Sequence, residues 1–224
     1  MKTIINKLNG IFNKKDEISP AYISTKNPKN IEIDNMLYSG LIIVNYNREY
    51  NDLILKKIID TNINMNISIF YEKQDSFKTI RDLSYHIANV GVDLKDGKTT
   101  ATDIDIAAFT YNDAKYIRKE MQVNNEDMYF LYIYLNLFTE NEKEMEFLLN
   151  KMEGLLESNG LQTRRANFRQ EQLFKACLPF CINEKELKPA AKRNVLTTGI
   201  TGTYPFITSS IFYEEGIFFG TNIY

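Results

Sequence analysis

The sequence is poor in the residues that most often do chemistry. Among its 224 residues there is one histidine, His86, and there are two cysteines, Cys177 and Cys181. A lone histidine removes most metal centres and leaves any Ser-His-Asp mechanism resting on one position. Two cysteines exclude a disulfide framework and a four-cysteine zinc site, and so few thiols at an odd spacing fit a reducing cytosol. No apolar run approaches the roughly 18 residues of a transmembrane helix. Charge of one sign is lacking as well: 27 Lys+Arg face 29 Asp+Glu, a net charge of -2 that carries no global nucleic-acid signature. There is no internal repeat and no low-complexity tract. What remains is ordinary globular composition, 44% apolar and 25% charged, and a length suited to one domain or one domain with an extension.

Residues 1–30 read as an amphipathic segment followed by a linker. Ile4, Ile5, Leu8, Ile11 and Phe12 fall near one helical face, and Lys2, Lys7, Lys14 and Lys15 add positive charge. Two readings stand: a helix on an anionic membrane surface, or one packed on its own domain or a partner. Residues 18–30, with two prolines and many turn formers, supply the linker. Strands are expected at 31–34 and 37–46, the second apolar on both faces, with Leu41 and Ile43 opposed by Ile42, Val44 and Tyr46. Asn47 is the expected cap of a helix whose stripe is Ile54, Leu55, Ile58 and Ile59. A strand follows at 65–72. Helical periodicity then runs from Phe77 to Gly91 and from Ala107 to Met121, with a polar loop (93–103) between. The strongest strand is 128–138: Leu131, Ile133, Leu135 and Leu137 line one face, and Phe130, Tyr132, Tyr134 and Phe138 the other. Thr139 and Glu142 read as a capping box for a helix ended by Gly160. A short strand at 161–165, a helix at 171–178 and a C-terminal hairpin at 211–219 complete the pattern. The class is α+β: a ferredoxin-like split β-α-β sandwich over 31–188, with an αα insertion near 76–122 and a β-rich connector and hairpin over 189–224.

Each chemical motif fails on spacing. Gly97-Lys98-Thr99 resembles the end of a P-loop, but position 92 is Val92 where the first glycine belongs. Asp93, Asp96, Asp103 and Asp105 suggest a calcium loop, yet Lys95 stands where a ligand is needed. Cys177 and Cys181 are four apart and read as buried, inert thiols. His86 reads as a surface or satisfied structural residue. The aromatics Phe130, Tyr132 and Tyr134 suggest an RNA-stacking sheet, without the Lys/Arg-Gly-aromatic motif that accompanies one. Lys192-Arg193 and Arg164-Arg165-Arg169 read as solvated basic clusters, and Gly199 and Gly202 as turn residues. These residues name no catalytic, cofactor or metal position.

The C-terminal part carries a resemblance. Gln170-Glu171-Gln172-Leu173-Phe174, Leu178-Pro179, KRNVLTTGITGTYPF and EEGIFFGTNIY stand in order. This series resembles the N-terminal domain of the conjugation ATPases of type IV secretion systems, the TraC/TraE/TrsE type that forms the fourth VirB component. Leu178, Pro179, Arg193, Thr197, Pro205, Phe206, Gly216, Gly220 and Asn222 match its signature positions. The likeness extends over most of 20–224 and is specific over 170–224. It implies a downstream RecA-like motor, which this chain stops short of, so ATP and Mg would belong to a longer parent and not to these residues. It implies docking to that ATPase domain, to other subunits as a homo-oligomer, and to inner-membrane channel components. The implied location is cytoplasmic, peripheral on the inner face of the cell membrane through residues 1–15. A ferredoxin-like nucleic-acid-binding module is the alternative reading; a small-molecule enzyme of the same fold is a third, with no catalytic pair to name.

Overall fold

A computed structural model describes residues 20–47, 54–96 and 101–205. The amphipathic segment at 1–15, Gly97-Lys98-Thr99, Phe206 and the hairpin with Gly216, Gly220 and Asn222 lie outside the described residues. The strands are β1 (Ile23–Ser24), β2 (Ile31–Ile33), β3 (Met36–Tyr46), β4 (Met65–Lys73), β5 (Met128–Thr139), β6 (Leu161–Arg165) and β7 (Arg193–Leu196). The helices are α1 (Ile54–Ile59), α2 (Ser76–Asp96), α3 (Ala101–Val123), α4 (Glu142–Ser158), α5 (Gln170–Ala176), α6 (Lys188–Ala191) and α7 (Thr197–Thr201). The architecture is α+β, with all seven strands in one antiparallel sheet. The path is β1-β2-β3-β5-β4, with β6 beside β3 and β7 beside β5. The sheet therefore includes residues of the expected N-terminal linker (β1) and of the C-terminal connector (β7).

β5 organises the layers. Leu131, Ile133, Leu135 and Leu137 point into a first core, beneath Ile54, Leu55 and Ile58 of α1 and Met145, Leu149, Met152 and Leu156 of α4. Tyr132 and Tyr134 point into a second core with Ile42, Leu173, Ala176, Leu187 and Ala191, covered by α5 and α6. Both rows are needed because a strand with helices on each face has no side that water can solvate. Each fully buried Leu or Ile removes enough apolar surface to stabilise the fold by roughly 1.5–3 kcal/mol.

Several expectations change in detail. Tyr46 packs in the first core and not with Ile42 and Val44. The cause is a register shift between Ile43 and Asn45 in the β3–β6 pairing, where one extra residue flips the alternation. The residues between Asn47 and Ile54, where its capping role is expected, lie outside the described residues; the Asn47 backbone N–H donates to Gly160 O at 2.8 Å. Gly160, at φ +81, is pressed against the Asn47 side chain, so it needs both its handedness and its missing Cβ. The N-cap of α4 is Asn141, whose side chain accepts from Lys143 N–H, while Thr139 Oγ1 donates to Glu144 Oε2. Ile59 is exposed, as is Phe77. The loop expected at 93–103 is mostly helical, because α2 continues through Asp96 and α3 begins at Ala101.

α2 and α3 leave the sheet after β4 and return before β5. Their exit and return are adjacent: Lys73 pairs with Tyr129, and Gln74 N–H donates to Met128 O at 2.9 Å. Among the described residues no helix is long and apolar enough to cross a membrane.

Gly40 sets how closely α5 approaches the sheet. A Cβ there would lie 2.0 Å from Leu173 Cδ2 and 3.0 Å from Leu135 O, and Leu173 is fully buried. Gly40→Ala is expected to cost about 1–3 kcal/mol by overpacking. Combining it with Leu173→Ala should cost less than the two losses added together. Urea denaturation of both single variants and the double variant measures this; strict additivity would show that the two positions do not press on each other.

Candidate functional site

The second face of the sheet is crossed by the connector from α5 through α6 to β7. One carboxylate holds it there. Glu72, on β4, accepts from Tyr132 Oη at 2.9 Å and from Asn183 Nδ2 at 3.4 Å, and pairs with Lys188 Nζ. Tyr134 Oη donates to Asn183 Oδ1 at 2.9 Å, and Lys192 Nζ sits 3.6 Å from the Phe130 ring centroid. Each of these contacts joins the sheet to the connector or fixes a ring beneath it. Desolvation opposes ionisation of Glu72, but the hydrogen bonds from Lys188 and Tyr132, with the Lys188 charge, outweigh it and hold the carboxyl below its usual range. Burial, followed by the Glu72 carboxylate, pushes the Tyr132 phenol above its ordinary value, and burial does the same at Tyr134.

A second polar hub fixes the end of the connector. Asp127, just before β5, pairs with Lys73 Nζ at 2.5 Å and accepts from Ser76 Oγ at 2.7 Å. Its backbone O accepts from Thr197 N–H at 3.1 Å, and its own N–H donates to Thr197 Oγ1 at 3.1 Å. Glu126 accepts from Thr198 N–H at 3.2 Å and from the Thr198 hydroxyl. These bonds start α7, so Thr197–Thr201 is helical where the sequence suggests strand and turn, and Gly199 lies inside that helix. The base of the α2–α3 insertion and the β7–α7 junction are thus tied at one point.

The described signature residues fall on this connector and on the α7 segment that follows it. Leu178 is half-buried and Pro179 exposed just beyond α5. Arg193 opens β7, Thr197 engages Asp127, and Pro205 is half-buried after Thr203 meets Tyr71 Oη at 2.5 Å. Sequence reading missed Glu72, Asn183 and Asp127. The available signal was Glu72 itself, a carboxylate on the same face of β4 as Phe70.

Few of the other candidates converge. Tyr132 and Tyr134 are 1% and 0% exposed, so their rings offer no stacking surface to a base while α5 and α6 cover them. The basic cluster divides between faces. Arg165 binds Glu153, Glu146 and Asn150 of α4, Arg169 pairs with Glu186, and Arg164 points to the opposite face from Arg165. His86 is exposed on α2. Among the described residues no three His, Cys, Asp or Glu side chains gather as a metal site. Cys177 is buried, and desolvation pushes its thiol up to about 12; Cys181 is exposed, against the expectation of two buried thiols. No family model matches the chain, and no curated protein matches it.

Two measurements probe this face. Glu72→Gln should lower the unfolding free energy read from urea curves by about 1 kcal/mol or less at neutral pH, because the carboxylate is partly solvated. A lowered folded-state pKa means that the contribution is present above the ordinary value of 4.5 and disappears as pH falls through the lowered one. The wild-type and Gln curves should therefore meet in acid; a gap that persists there would assign the effect to packing. Thiol labelling of the native protein should modify Cys181 within seconds to minutes and Cys177 only on unfolding. Equal labelling of both would mean that the connector is open.

Proposed function

We propose that this chain is an assembly and docking domain of a conjugative-transfer ATPase of the type IV secretion class, and that its core is ferredoxin-like. The signature over 170–224 carries the functional reading. The fold reading is supported by the neighbour order β6-β3-β5-β4, which is antiparallel throughout, with α1 and α4 together in the first core. A split β-α-β sandwich places its two crossover helices on one face of such a sheet.

The geometry supports docking in a specific way. The described signature residues sit on a connector that crosses a whole sheet face and is fastened at Glu72 and at Asp127. A domain that transmits position to a following motor needs its exit segment held rigidly against its own core. Here the exit passes from β7 through α7 to Thr203, which touches β4. ATP, Mg and hydrolysis belong in this reading to the motor. The partners are that motor, neighbouring subunits and inner-membrane channel components. The location is the cytoplasmic face of the membrane.

The reading is tested by mixing residues 1–224 with a separately expressed motor domain from the same natural reading frame. The expected result is a complex on gel filtration and no binding of Mg-ATP by residues 1–224 alone in calorimetry. Tight Mg-dependent ATP binding by these residues, or a reading frame that encodes no Walker A segment, would refute it.

A further inference from the structure

We propose that the groove beneath the first turn of α4 binds a free aliphatic α-amino acid through its ammonium and carboxylate groups. Two cavities of about 310 and 250 Å3 lie there and share two walls, Asn30 and Glu142. The strand registers put the floor on one face of the sheet. Ser24 lies opposite Glu32 and Glu32 opposite Leu37, so the three form a cross-strand row. Ser39 and Leu41 follow Leu37 on the same face of β3, and Arg165 lies opposite Leu41. This is the face that Leu41 turns to the first core, where α4 packs. Glu142 and Lys143, which open α4, form the wall above it.

One buried group there lacks a protein partner. Asn30 is 6% exposed and lines both cavities, and its side-chain amide makes no hydrogen bond among the described residues. Buried polar groups are almost always paired, because an unpaired one gives up hydration without replacing it. A carboxamide presents an acceptor and two donors at one point. Beside it, Ser39 is 5% exposed and donates its hydroxyl to Lys29 O at 2.8 Å, which leaves the Ser39 oxygen free to accept.

The charges around Asn30 are of both signs. Arg165 is fully engaged with α4: its fork donates to Glu153, to Asn150 and, at 2.7 Å, to Glu146. Lys29 and Lys143 remain at the larger cavity with no carboxylate at salt-bridge distance among the described residues. Glu142 stands at the junction, and Glu32 at the smaller cavity, with no cation at that distance. A ligand that suits this arrangement carries an anion and a cation close together. The carboxylate and ammonium of an α-amino acid share one carbon, so the Asn30 amide can donate to the first and accept from the second. Lys29 and Lys143 complement the carboxylate, and Glu142 the ammonium. Met145 and Leu149, 3% and 4% exposed, give the larger cavity an apolar wall for an aliphatic side chain. The proposal is independent of the functional assignment above, since no signature residue lines either cavity.

The test is titration of residues 1–224 at constant ionic strength, followed by amide chemical shifts. The titrants are leucine, glycine, N-acetyl-leucine and leucinamide. Leucine should bind saturably and more tightly than glycine, with shifts confined to 29–32, 37–39 and 142–149. N-acetyl-leucine lacks the ammonium and leucinamide the carboxylate, so each should bind about tenfold more weakly or worse. Asn30→Ala should abolish saturation. Lys143 is exposed, so Lys143→Glu should unfold at the wild-type temperature while weakening leucine about tenfold or more; it decides the matter even if Asn30→Ala does not fold. The proposal is overturned if leucine produces no saturable shift, which would mean a groove that holds water only. It is overturned equally by capped forms that bind as well as leucine, by shifts spread over the surface, or by unchanged affinity in Lys143→Glu.

Discussion

The structure depends on a strand that is buried on both sides. β5 carries leucine and isoleucine toward one layer of helices and tyrosine toward another, and it hydrogen-bonds to β3, β4 and β7. Neither face can be given to water, so both layers have to form. The two faces solve that requirement differently. The first is aliphatic and closed by α1 and α4. The second contains two phenols, and a buried phenol needs a partner for its hydroxyl. Glu72 and Asn183 are those partners, so the choice of tyrosine on β5 dictates polar residues on β4 and in the connector.

Much of this was readable in the sequence because it rests on periodicity. The alternation in 128–138 and the four-residue stripes of α1 and α4 are direct records of which atoms avoid water. Departures arise where one local interaction outweighs a pattern. The bulge at Ile43–Asn45 inverts the alternation, and a period-two reading has no way to place it. Thr197–Thr201 has β-branched residues that favour strand, yet the carboxylates of Glu126 and the backbone of Asp127 capture its first turn. Those acids lie about seventy positions earlier in the chain. The capping box failed by two residues because Thr139 still belongs to β5, with its hydroxyl donating to Glu144, while Asn141 caps the helix.

The site was less legible for the same reason. Sequence reading could identify arginines and aromatics, but not which face each would reach. Three consecutive-looking basic residues, Arg164, Arg165 and Arg169, separate into three environments once the strand alternates and the chain turns. Glu72 and Lys188 are 116 positions apart and become a pair only through the sheet.

The placement of the α2–α3 insertion has a consequence for how such a molecule can vary. Because the chain departs at Gln74 and rejoins at Met128 across a single hydrogen bond, everything in between is a closed excursion from two fixed neighbours. The register of β4 on β5 does not record how long that excursion is. Helical turns can be added or removed in pairs, and the reach of the projection altered, while each strand contact stays where it was. Loop-closure entropy changes only slowly with length, so the thermodynamic resistance to such remodelling is small.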